Sequence, residues 1–550
     1  MAVCKKIQKR WIVVCFLISC ILLSGCRKET KTGVAEPAEY ETAALFSDVS
    51  FWEPPLWDAT KGTIMGDISA KTGLTLDINV PTQDADTQLS LMLINDELPD
   101  IISVTDPTVI GQLVTSGKVW KLEDFFEKYL PKSQYFSKFP EDVKKELIKR
   151  DGDWYAIPSH MNSEMTKETW PPSCDYYDDF VEYGNNNAII WNRSLLSEAG
   201  LSVENLCTQD QVIAAFEKVK NLHLKVDGEE VIPLLLDGQD YQDPSLKYVL
   251  NSFGAEQVDA KGNYKDRLLQ PEAKSALYFL NTMMRNGYAN PEQLTVDNQQ
   301  IKSYIASGRV LCFIGNVANT SMDATQWVST GPILSEEGKT PVLGKNQRAT
   351  TGWIQTFISK SCEHPEEIAS WIDYMTSEEG MCLWSYGYEG KDYTKDENGL
   401  ITMTEEGQKA AASYSETGMQ AWWLFSNPVW ERSVLAEPEK DSKEAGQANI
   451  QTAFGRHSQT YIYDESLLLW PTDFLSEESE SGQMESRLNE WEKGQIPAVI
   501  MAGSDEQFET EYKELIDTMY DLGVEKLDEE KNIQYKKNCQ EYGNRIQKVN

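Results

Sequence analysis

The sequence predicts an α/β fold with a largely parallel sheet, and three observations support this prediction. Short apolar strands alternate with helical segments over residues 43–106, at the spacing of strand–helix–strand units. Apolar residues later return at helical spacing, as in Ile368, Trp371, Ile372 and Met375, so one face of that helix is core. No segment of about 20–50 residues repeats, which argues against a solenoid or a propeller. At 550 residues the chain is long enough for two or more packed units.

The amino-terminal segment has the architecture of an export signal. Four basic residues precede an apolar run from Trp11 to Leu23: Lys5, Lys6, Lys9 and Arg10. The run is shorter than the roughly 18 residues that a membrane-spanning helix needs, and small residues end it. It leads into Leu23-Ser24-Gly25-Cys26, which resembles the bacterial lipobox, whose cysteine carries a lipid such as palmitate.

The lipobox resemblance implies a signal peptide over residues 1–25 and lipidation at Cys26. It also implies attachment to the extracellular face of the cell membrane, in a Gram-positive-type bacterium. The alternative is an uncleaved anchor in which Cys26 is incidental.

The charge of the chain argues against one class of partner. It has 87 acidic and 51 basic residues, for a formal net charge of −36. A chain this acidic is a poor nucleic-acid binder, so we expect no nucleic-acid partner. Net charge does not exclude an anionic ligand, because a local basic pocket could still bind one.

The elements after the signal can be taken in chain order. Residues 26–41 are polar and charged and are predicted to form a flexible tether. The segments that follow are a strand at 43–46, a loop at 47–57, a helix capped by Asp58 and ended by Gly73, a strand at 74–80, a turn at 81–84, a helix at 88–95, a third strand from Leu98 to Asp106 and, much later, an acidic exposed loop at 476–485. In parallel sheets ligands bind beyond the carboxyl ends of strands, which selects the 47–57 loop, the 81–84 turn and Asp106.

Short patches of sequence occur in a particular order along the chain: Thr60-Lys61-Gly62, Lys71-Thr72-Gly73, Leu98-Pro99-Asp100-Ile101, Gly117–Leu122, Trp154–Pro158, Ala188–Arg193, Ile305–Val310, Ser377–Gly380, Tyr386–Gly390 and Pro497–Gly503. Their ordered sequence resembles the family 1 extracellular solute-binding lipoproteins of bacterial ABC importers, of the oligosaccharide type. The resemblance covers nearly the whole chain after the signal.

This resemblance implies a two-lobed fold of the periplasmic-binding-protein-like II type, with a mostly parallel sheet in each lobe and a hinge between them. The implied organisation is lobe one at 42–165 and 345–400, lobe two at 185–340 and 401–550, and crossover segments at 166–184 and 341–344. The implied function is capture of an oligosaccharide between the lobes by a monomer, which delivers it to the permease subunits of an ABC transporter without catalysis.

Motifs for phosphate binding, metalloprotease chemistry, serine hydrolysis and dinucleotide binding are absent from the sequence. His160, His223, His364 and His457 have no metal-ligand spacing, and we expect surface or turn positions for them. Residues 224–233, where some relatives carry a calcium loop, lack its alternating oxygen ligands. No metal or cofactor is predicted. Six cysteines remain after the lipid site, and whether any of them form disulfides stays open.

Tryptophans in turn-rich segments are the positive signal for a sugar site, because a flat ring can cover the apolar face of a sugar. The predicted ligand-binding residues are Trp52, Trp57, Asp106, Trp170, Tyr176, Tyr177, Asp178, Trp191, Trp353, Trp384, Trp422 and Trp423. The alternative for the tryptophans is ordinary core packing, and for Asp106 it is capping of the next helix. Two other functions stay open, an exported lipoprotein glycoside hydrolase and a carbohydrate-sensing or adhesion module, since sequence does not show how carboxylates pair in space.

Overall fold

The structure, a computed structural model, describes residues 40–259, 261–346, 348–471, 474–475, 479–543 and 547–548. The predicted export signal, the lipidation site Cys26 and the tether up to residue 39 lie outside the described residues. Residues 40–550 form one compact unit.

The strands, in chain order, are β1 (Glu41–Ser47), β2 (Leu74–Asn79), β3 (Ile101–Val104), β4 (Ile157–Pro158), β5 (Asn187–Asn192), β6 (Lys225–Val226), β7 (Glu229–Glu230), β8 (Ile232–Leu236), β9 (Val310–Asn316), β10 (Trp327–Val328), β11 (Val342–Lys345), β12 (Gln355–Ile358), β13 (Tyr393–Lys395), β14 (Ile401–Met403), β15 (Tyr461–Asp464) and β16 (Gln547–Lys548).

The α-helices, in chain order, are α1 (Ile64–Thr72), α2 (Ala85–Asn95), α3 (Pro107–Ser116), α4 (Leu122–Tyr129), α5 (Gln134–Lys138), α6 (Glu141–Asp151), α7 (Glu164–Thr169), α8 (Asp175–Tyr183), α9 (Arg193–Glu198), α10 (Gln209–Leu222), α11 (Lys247–Ser252), α12 (Pro271–Arg285), α13 (Asn298–Ala306), α14 (Pro365–Met375), α15 (Glu378–Tyr386), α16 (Glu405–Ala412), α17 (Tyr414–Thr417), α18 (Pro428–Val434), α19 (Lys443–Thr452), α20 (Glu480–Ile500), α21 (Asp505–Leu522) and α22 (Val524–Tyr542).

The first sheet has the strand order β2-β1-β3-β12-β4. Strand β1 runs parallel to β2 and β3, as the alternation of strands and helices predicts, whereas β12 is antiparallel to both of its neighbours. Its buried side chains join those of α1, α4 and α14 in what we call the first core. The predicted apolar face of α14, from Ile368 to Met375, is fully buried there.

The second sheet has the strand order β10-β5-β9-β8 and is mixed rather than mostly parallel. Strand β8 is parallel to β9, but β5 runs antiparallel to β9 and β10 antiparallel to β5. The prediction of a mostly parallel sheet in both halves is therefore wrong for this one, and in the first sheet two of the four strand pairings are parallel. Buried side chains of this sheet and of α10, α12, α20 and α21 form what we call the second core. A small sheet of β11, β15 and β16 adjoins it.

Packing departs from the predicted lobe boundaries in two places. The buried side chains between Ile401 and Trp430 lie in the first core, although the segment was predicted to belong with the second. Residues 342–345, predicted to be largely a crossover, form β11, which pairs with β15 and places Leu343 in the second core. In both places the apolar side chains pack into the core that lies next to them in space, which is not the core expected from their position in the chain.

Local predictions were accurate to within a few residues in the amino-terminal half. Helix α1 ends at Gly73, as predicted, but its cap is Thr63, whose hydroxyl accepts from the N–H of Gly66, and not Asp58. The predicted acidic loop at 476–485 is wrong in its second part, because α20 begins at Glu480.

Candidate functional site

A cavity of about 470 Å³ lies between α6, which contributes Val143 and Leu147 to the first core, and α22, which contributes Val524 and Leu527 to the second. The first core contributes α6, the connecting segment 346–353 forms one wall, and the opposite side comes from residues 469–471 and α22. The lining residues are Glu146, Lys149, Arg150, His160, Asn346, Arg348, Ala349, Thr350, Thr351, Gly352, Trp353, Leu469, Trp470, Pro471, Gln534 and Asn538. This volume is in the range of ligand pockets, and a junction between two packed units is a common place for one.

The loop after β1 is held at the rim of the first sheet by Asp48. Its carboxylate accepts hydrogen bonds from the backbone N–H of Thr105 at 2.7 Å and of Asp106 at 3.3 Å, so the carboxyl ends of β1 and β3 are tied together. Burial raises the pKa of Asp48, and the two backbone donors oppose that rise. The loop is therefore a fixed part of the sheet edge.

Three aromatic rings lie together beside the cavity, one of them on this loop. Phe51 stacks on Trp353 with ring centroids 6.3 Å apart and planes 7° from parallel, and it also contacts Trp423 at 5.9 Å. Phe51 and Trp353 are 57% and 41% exposed, so both offer free ring surface. We call Phe51, Trp353 and Trp423 the aromatic platform.

His160 joins the platform to the cavity. Its Nδ1 accepts a hydrogen bond from Trp353 Nε1 at 3.1 Å, and its backbone N–H donates to the carbonyl of Ser426 at 2.6 Å. Burial and the positive charge of Arg432 lower the pKa of His160 from 6.5 to about 4, so the ring is neutral at pH 7 and keeps its acceptor.

Another part of the cavity wall, formed by α6 and the connecting segment, is basic. Arg150 is paired with Asp151 at 2.6 Å and also donates to Gln355 Oε1 at 3.1 Å. Lys149 lies 3.6 Å from Glu541. Arg348 places its guanidinium 3.1 Å from the ring centre of Tyr542, and its buried Nε and Nη2 have no hydrogen-bond partner among the described residues.

Three of the predicted sugar-stacking tryptophans are core residues, and for them the prediction is wrong. Trp52, Trp384 and Trp422 are at most 4% exposed. Trp52 Nε1 donates to the carbonyl of Ala421 and Trp384 Nε1 to that of Met375, both at 2.9 Å. Trp191 is also wrong, because β5 is central in the second sheet and buries it completely.

Other predicted residues have structural partners. Asp106 accepts from the N–H groups of Thr108 and Val109 at 2.8 and 3.0 Å, so it caps α3, which is the alternative reading of this position. Trp57 donates to Ser69 at 2.9 Å and packs edge-on against Trp422.

The remaining predicted residues lie outside the cavity. The hydroxyls of Tyr176 and Tyr177 donate to the carbonyls of Glu444 and Ala436, which ties α8 to that segment. Asp178 is exposed, and Trp170 lines a separate groove beside the first core. Of the predicted ligand-binding residues, Trp353 lines the cavity and Trp423 stands on the platform beside it, and their role stays a prediction.

Sequence reasoning missed Phe51, His160 and the basic wall. His160 lies two residues after the end of β4, so the rule about carboxyl ends of strands selects it if that short strand is recognised. Phe51 lies in the loop that the same rule selected, but the predicted ligand-binding residues in this loop are its neighbour Trp52 and Trp57. The basic wall comes from segments about 200 residues apart in the chain, and no local pattern unites them.

Three negative observations hold for the described part of the chain. No group of three or more His, Cys, Asp or Glu side chains there is placed to hold a metal ion. The helices described include none with the length and apolarity needed to cross a membrane. The six described cysteines are free, and Cys312 alone among them is fully buried.

Comparisons with known proteins agree with this architecture. Residues 60–381 match the family model described as bacterial extracellular solute-binding protein. The polygalacturonan/rhamnogalacturonan-binding protein YtcQ of Bacillus subtilis (strain 168) is 20% identical over 416 residues, which cover 72% of this chain and 76% of YtcQ.

Two solved structures extend the likeness to nearly the whole chain. The S. pneumoniae ABC-transporter substrate-binding protein FusA in complex with kestose has a TM-score of 0.66 at 15% identity, covering 91% of this chain and 100% of FusA. An HMO-binding, ABC-transporter-associated solute-binding protein from Bifidobacterium longum infantis ATCC 15697 has a TM-score of 0.63 at 15% identity, covering 90% and 98%. The fold is therefore the two-lobed, periplasmic-binding-protein-like α/β fold.

Proposed function

We propose, from the premise that this chain belongs to the bacterial extracellular solute-binding protein family, that it captures an oligosaccharide and delivers it to an ABC permease. The observation that carries the proposal is the aromatic platform beside a polar cavity at the junction of two cores. A sugar ring has apolar C–H faces and polar edges, so it matches a site with aromatic rings on one side and hydrogen-bonding groups on the other.

The names of the relatives support a carbohydrate ligand. YtcQ is named for polygalacturonan and rhamnogalacturonan, FusA was solved with kestose, and the Bifidobacterium protein is described as HMO-binding. These are different sugars, so the relatives support the class of ligand and leave its identity to this chain's own cavity.

We place lobe one at residues 42–165 and 346–436 and lobe two at 187–345 and 437–550, following the packing of the two cores. The segments that connect the two lobes, including the one near residues 346–354, then act as the hinge. A ligand that binds the closed arrangement more tightly than the open one shifts the population toward closure, and closure is the signal that a permease reads.

Catalysis is not part of the proposal. Glu146 is the one carboxylate among the described residues that line the cavity, whereas glycoside hydrolysis uses two acidic groups that flank the bond. Incubation with labelled oligosaccharides should produce no new reducing ends.

The membrane attachment rests on Cys26. We propose that Cys26 carries the lipid and that the protein acts as a monomer on the extracellular face of the cell membrane. The variant Cys26→Ala should lose fatty-acid labelling and should be released or remain as precursor. Equal labelling of the variant and the parent would contradict this assignment.

The function is tested by calorimetric titration with a panel of neutral and acidic oligosaccharides, together with small-angle scattering. We expect at least one oligosaccharide to bind, and the radius of gyration to fall when it saturates the protein. Failure of every oligosaccharide to bind would overturn the proposed function, and an unchanged scattering profile at saturation would overturn closure.

A further inference from the structure

Cationic side chains outnumber carboxylates among the described residues that line the cavity. The protein has 87 acidic against 51 basic residues, yet the described residues of the cavity wall include Lys149, Arg150 and Arg348 against the single carboxylate of Glu146. In a chain this acidic, such a group of cations is unusual, and the partner of each one shows which of them is free to bind a ligand.

Two of the three cations have partners within the protein. Arg150 holds Asp151 and Gln355, which accounts for much of its hydrogen-bonding capacity. Lys149 lies beside Glu541 and contacts the hydroxyl of Tyr542. These two side chains are therefore oriented by their neighbours, and each still reaches the cavity.

Among the described residues Arg348 has no direct partner of this kind: burial lowers its pKa, and Tyr542, Asp464, Glu146 and Glu541 oppose that change without forming an ion pair. It makes no ion pair within the described residues, and its guanidinium carbon lies 3.1 Å from the centre of the Tyr542 ring. Its Nε and Nη2 are buried and without a hydrogen-bond acceptor among those residues. Buried polar groups are nearly always paired, because an unpaired one loses its hydration without compensation.

The two unpaired atoms of Arg348 share one edge of the guanidinium. That edge presents two parallel N–H donors, which is the arrangement that binds both oxygens of a carboxylate. The contact with Tyr542 is made through the guanidinium carbon, and this buried edge has no hydrogen-bond acceptor among the described residues. An acceptor that a ligand supplies would complete it.

One more buried cation, Lys345, directly precedes the cavity-lining residue Asn346 in the chain. Burial, and then the positive charge of Arg432, lower the pKa of Lys345 to about 8, and the same two causes act on His160. Glu465 and Glu182 oppose the effect on Lys345, yet its largest charge interaction is repulsion from Arg432. Lys345 does not itself line the cavity, and its Nζ donates to the carbonyl of Gly184 at 2.7 Å, so it would act on a ligand only through its charge.

We infer that the ligand is an acidic oligosaccharide, one that contains uronic acid residues, and that a carboxylate of it accepts two hydrogen bonds from Nε and Nη2 of Arg348. Lys149 and Arg150 supply further positive charge along the same wall, and the aromatic platform covers a sugar face. This inference rests on the proposed function and specifies its substrate class.

The experiment compares matched oligosaccharides and matched variants by calorimetry. The probes are short oligomers of galacturonate, mannuronate and glucuronate, the same oligomers with their carboxylates methyl-esterified, and neutral fructose and mannose oligomers. Arg348→Gln removes the charge and the paired donors, Arg348→Lys keeps the charge alone, and Arg309→Gln removes an arginine that pairs with Glu229 outside the cavity. Unfolding by denaturant confirms that each variant is folded.

We expect an acidic oligomer to bind the parent protein, with esterification and Arg348→Gln each weakening it by at least about 30-fold. Arg348→Lys should retain an intermediate affinity, and Arg309→Gln should change it by less than about twofold. If Arg348→Gln fails to fold, the esterified probes on the parent protein and Arg348→Lys carry the same test.

The contrary results are distinct. Tight binding of neutral oligomers alone, unchanged by Arg348→Gln, overturns the acidic ligand and leaves the proposed function standing. Binding of an acidic oligomer that Arg348→Gln and Arg309→Gln affect equally overturns the role of Arg348. Failure of every oligosaccharide to bind overturns the proposed function itself.

Discussion

Neighbouring aromatic residues in two segments of this protein have opposite positions. In the loop after β1, Trp52 is 4% exposed while Phe51 is 57% exposed. Before α18, Trp422 is fully buried while Trp423 is half-buried and contacts Phe51. One member of each pair closes the first core, and the other joins the aromatic platform. Each segment therefore places one ring in the core and the other at the surface, and the proposed function predicts that mutation of the two rings has separate effects on stability and on binding.

The largest expected effect is the loss of stability when Trp422, the buried ring of the second pair, is replaced. Trp422 packs edge-on against Trp371 and Trp57, with ring centroids 6.1 and 5.6 Å away. Trp422→Ala should lower the free energy of unfolding by about 3–5 kcal/mol, because it leaves a cavity among these rings. Trp423→Ala should cost less, about 1 kcal/mol, since its ring is already partly exposed to water in the folded protein.

Denaturant unfolding of the two variants measures this difference, with Trp422→Phe as the control that keeps an aromatic ring in place. The folded fraction of Trp422→Ala should bind ligand normally, and that of Trp423→Ala should bind it more weakly. Equal losses of stability in the two alanine variants would remove the distinction between core and platform.

The next largest effect is on the pH dependence of stability, which we expect to depend on His160 between the aromatic platform and the cavity. Its pKa falls from 6.5 in the unfolded chain to about 4 in the folded protein. The unfolded chain therefore binds a proton between these values that the folded protein does not, so stability is lost as pH falls through this window.

Between about pH 7 and pH 5 this should cost about 2 kcal/mol, and His160→Gln should abolish that part of the acid sensitivity. Unfolding curves of the two proteins at both pH values give the comparison. The same slope in the parent and the variant would show that His160 is not held neutral behind Trp353.

The smallest effect separates a structural residue at the sheet edge from a binding one. Asp106 lies at the carboxyl end of β3, but its carboxylate caps α3. Asp106→Ala should lose about 1 kcal/mol of stability, as expected for a helix cap, and leave the dissociation constant of the ligand unchanged. Asp106→Asn is the control, because it can still cap the helix. A weakened ligand without a loss of stability would return Asp106 to the site.

The sequence supports strong predictions where one local pattern decides the structure. The alternation of residues 43–106 predicts β1, α1, β2, α2 and β3 because strand and helix periodicities are local properties. The apolar face of α14 is predicted for the same reason. The antiparallel course of β5 and the return of residues 401–430 to the first core depend on contacts between distant segments, which no local pattern contains.

The candidate site shows the same division. The rule for strand ends selects the loop that carries Phe51, yet it does not tell which of two adjacent rings faces the solvent. Alternation in an extended loop points neighbouring side chains in different directions, and only the packed structure decides which one meets the core. Arg348 and Tyr542 come together from opposite ends of the second half of the chain, so their contact was beyond prediction.

The central claim is that exposed aromatic rings at the junction of the two cores hold a carbohydrate. The most direct test is Trp353→Ala, with Tyr520→Ala as control, because the two side chains are 41% and 42% exposed and only Trp353 lines the cavity. Calorimetric titration with a bound oligosaccharide should show an affinity about 30-fold weaker for Trp353→Ala and unchanged for Tyr520→Ala, with both variants nearly as stable as the parent. Equal affinities for the parent and Trp353→Ala would contradict the account and place the ligand elsewhere.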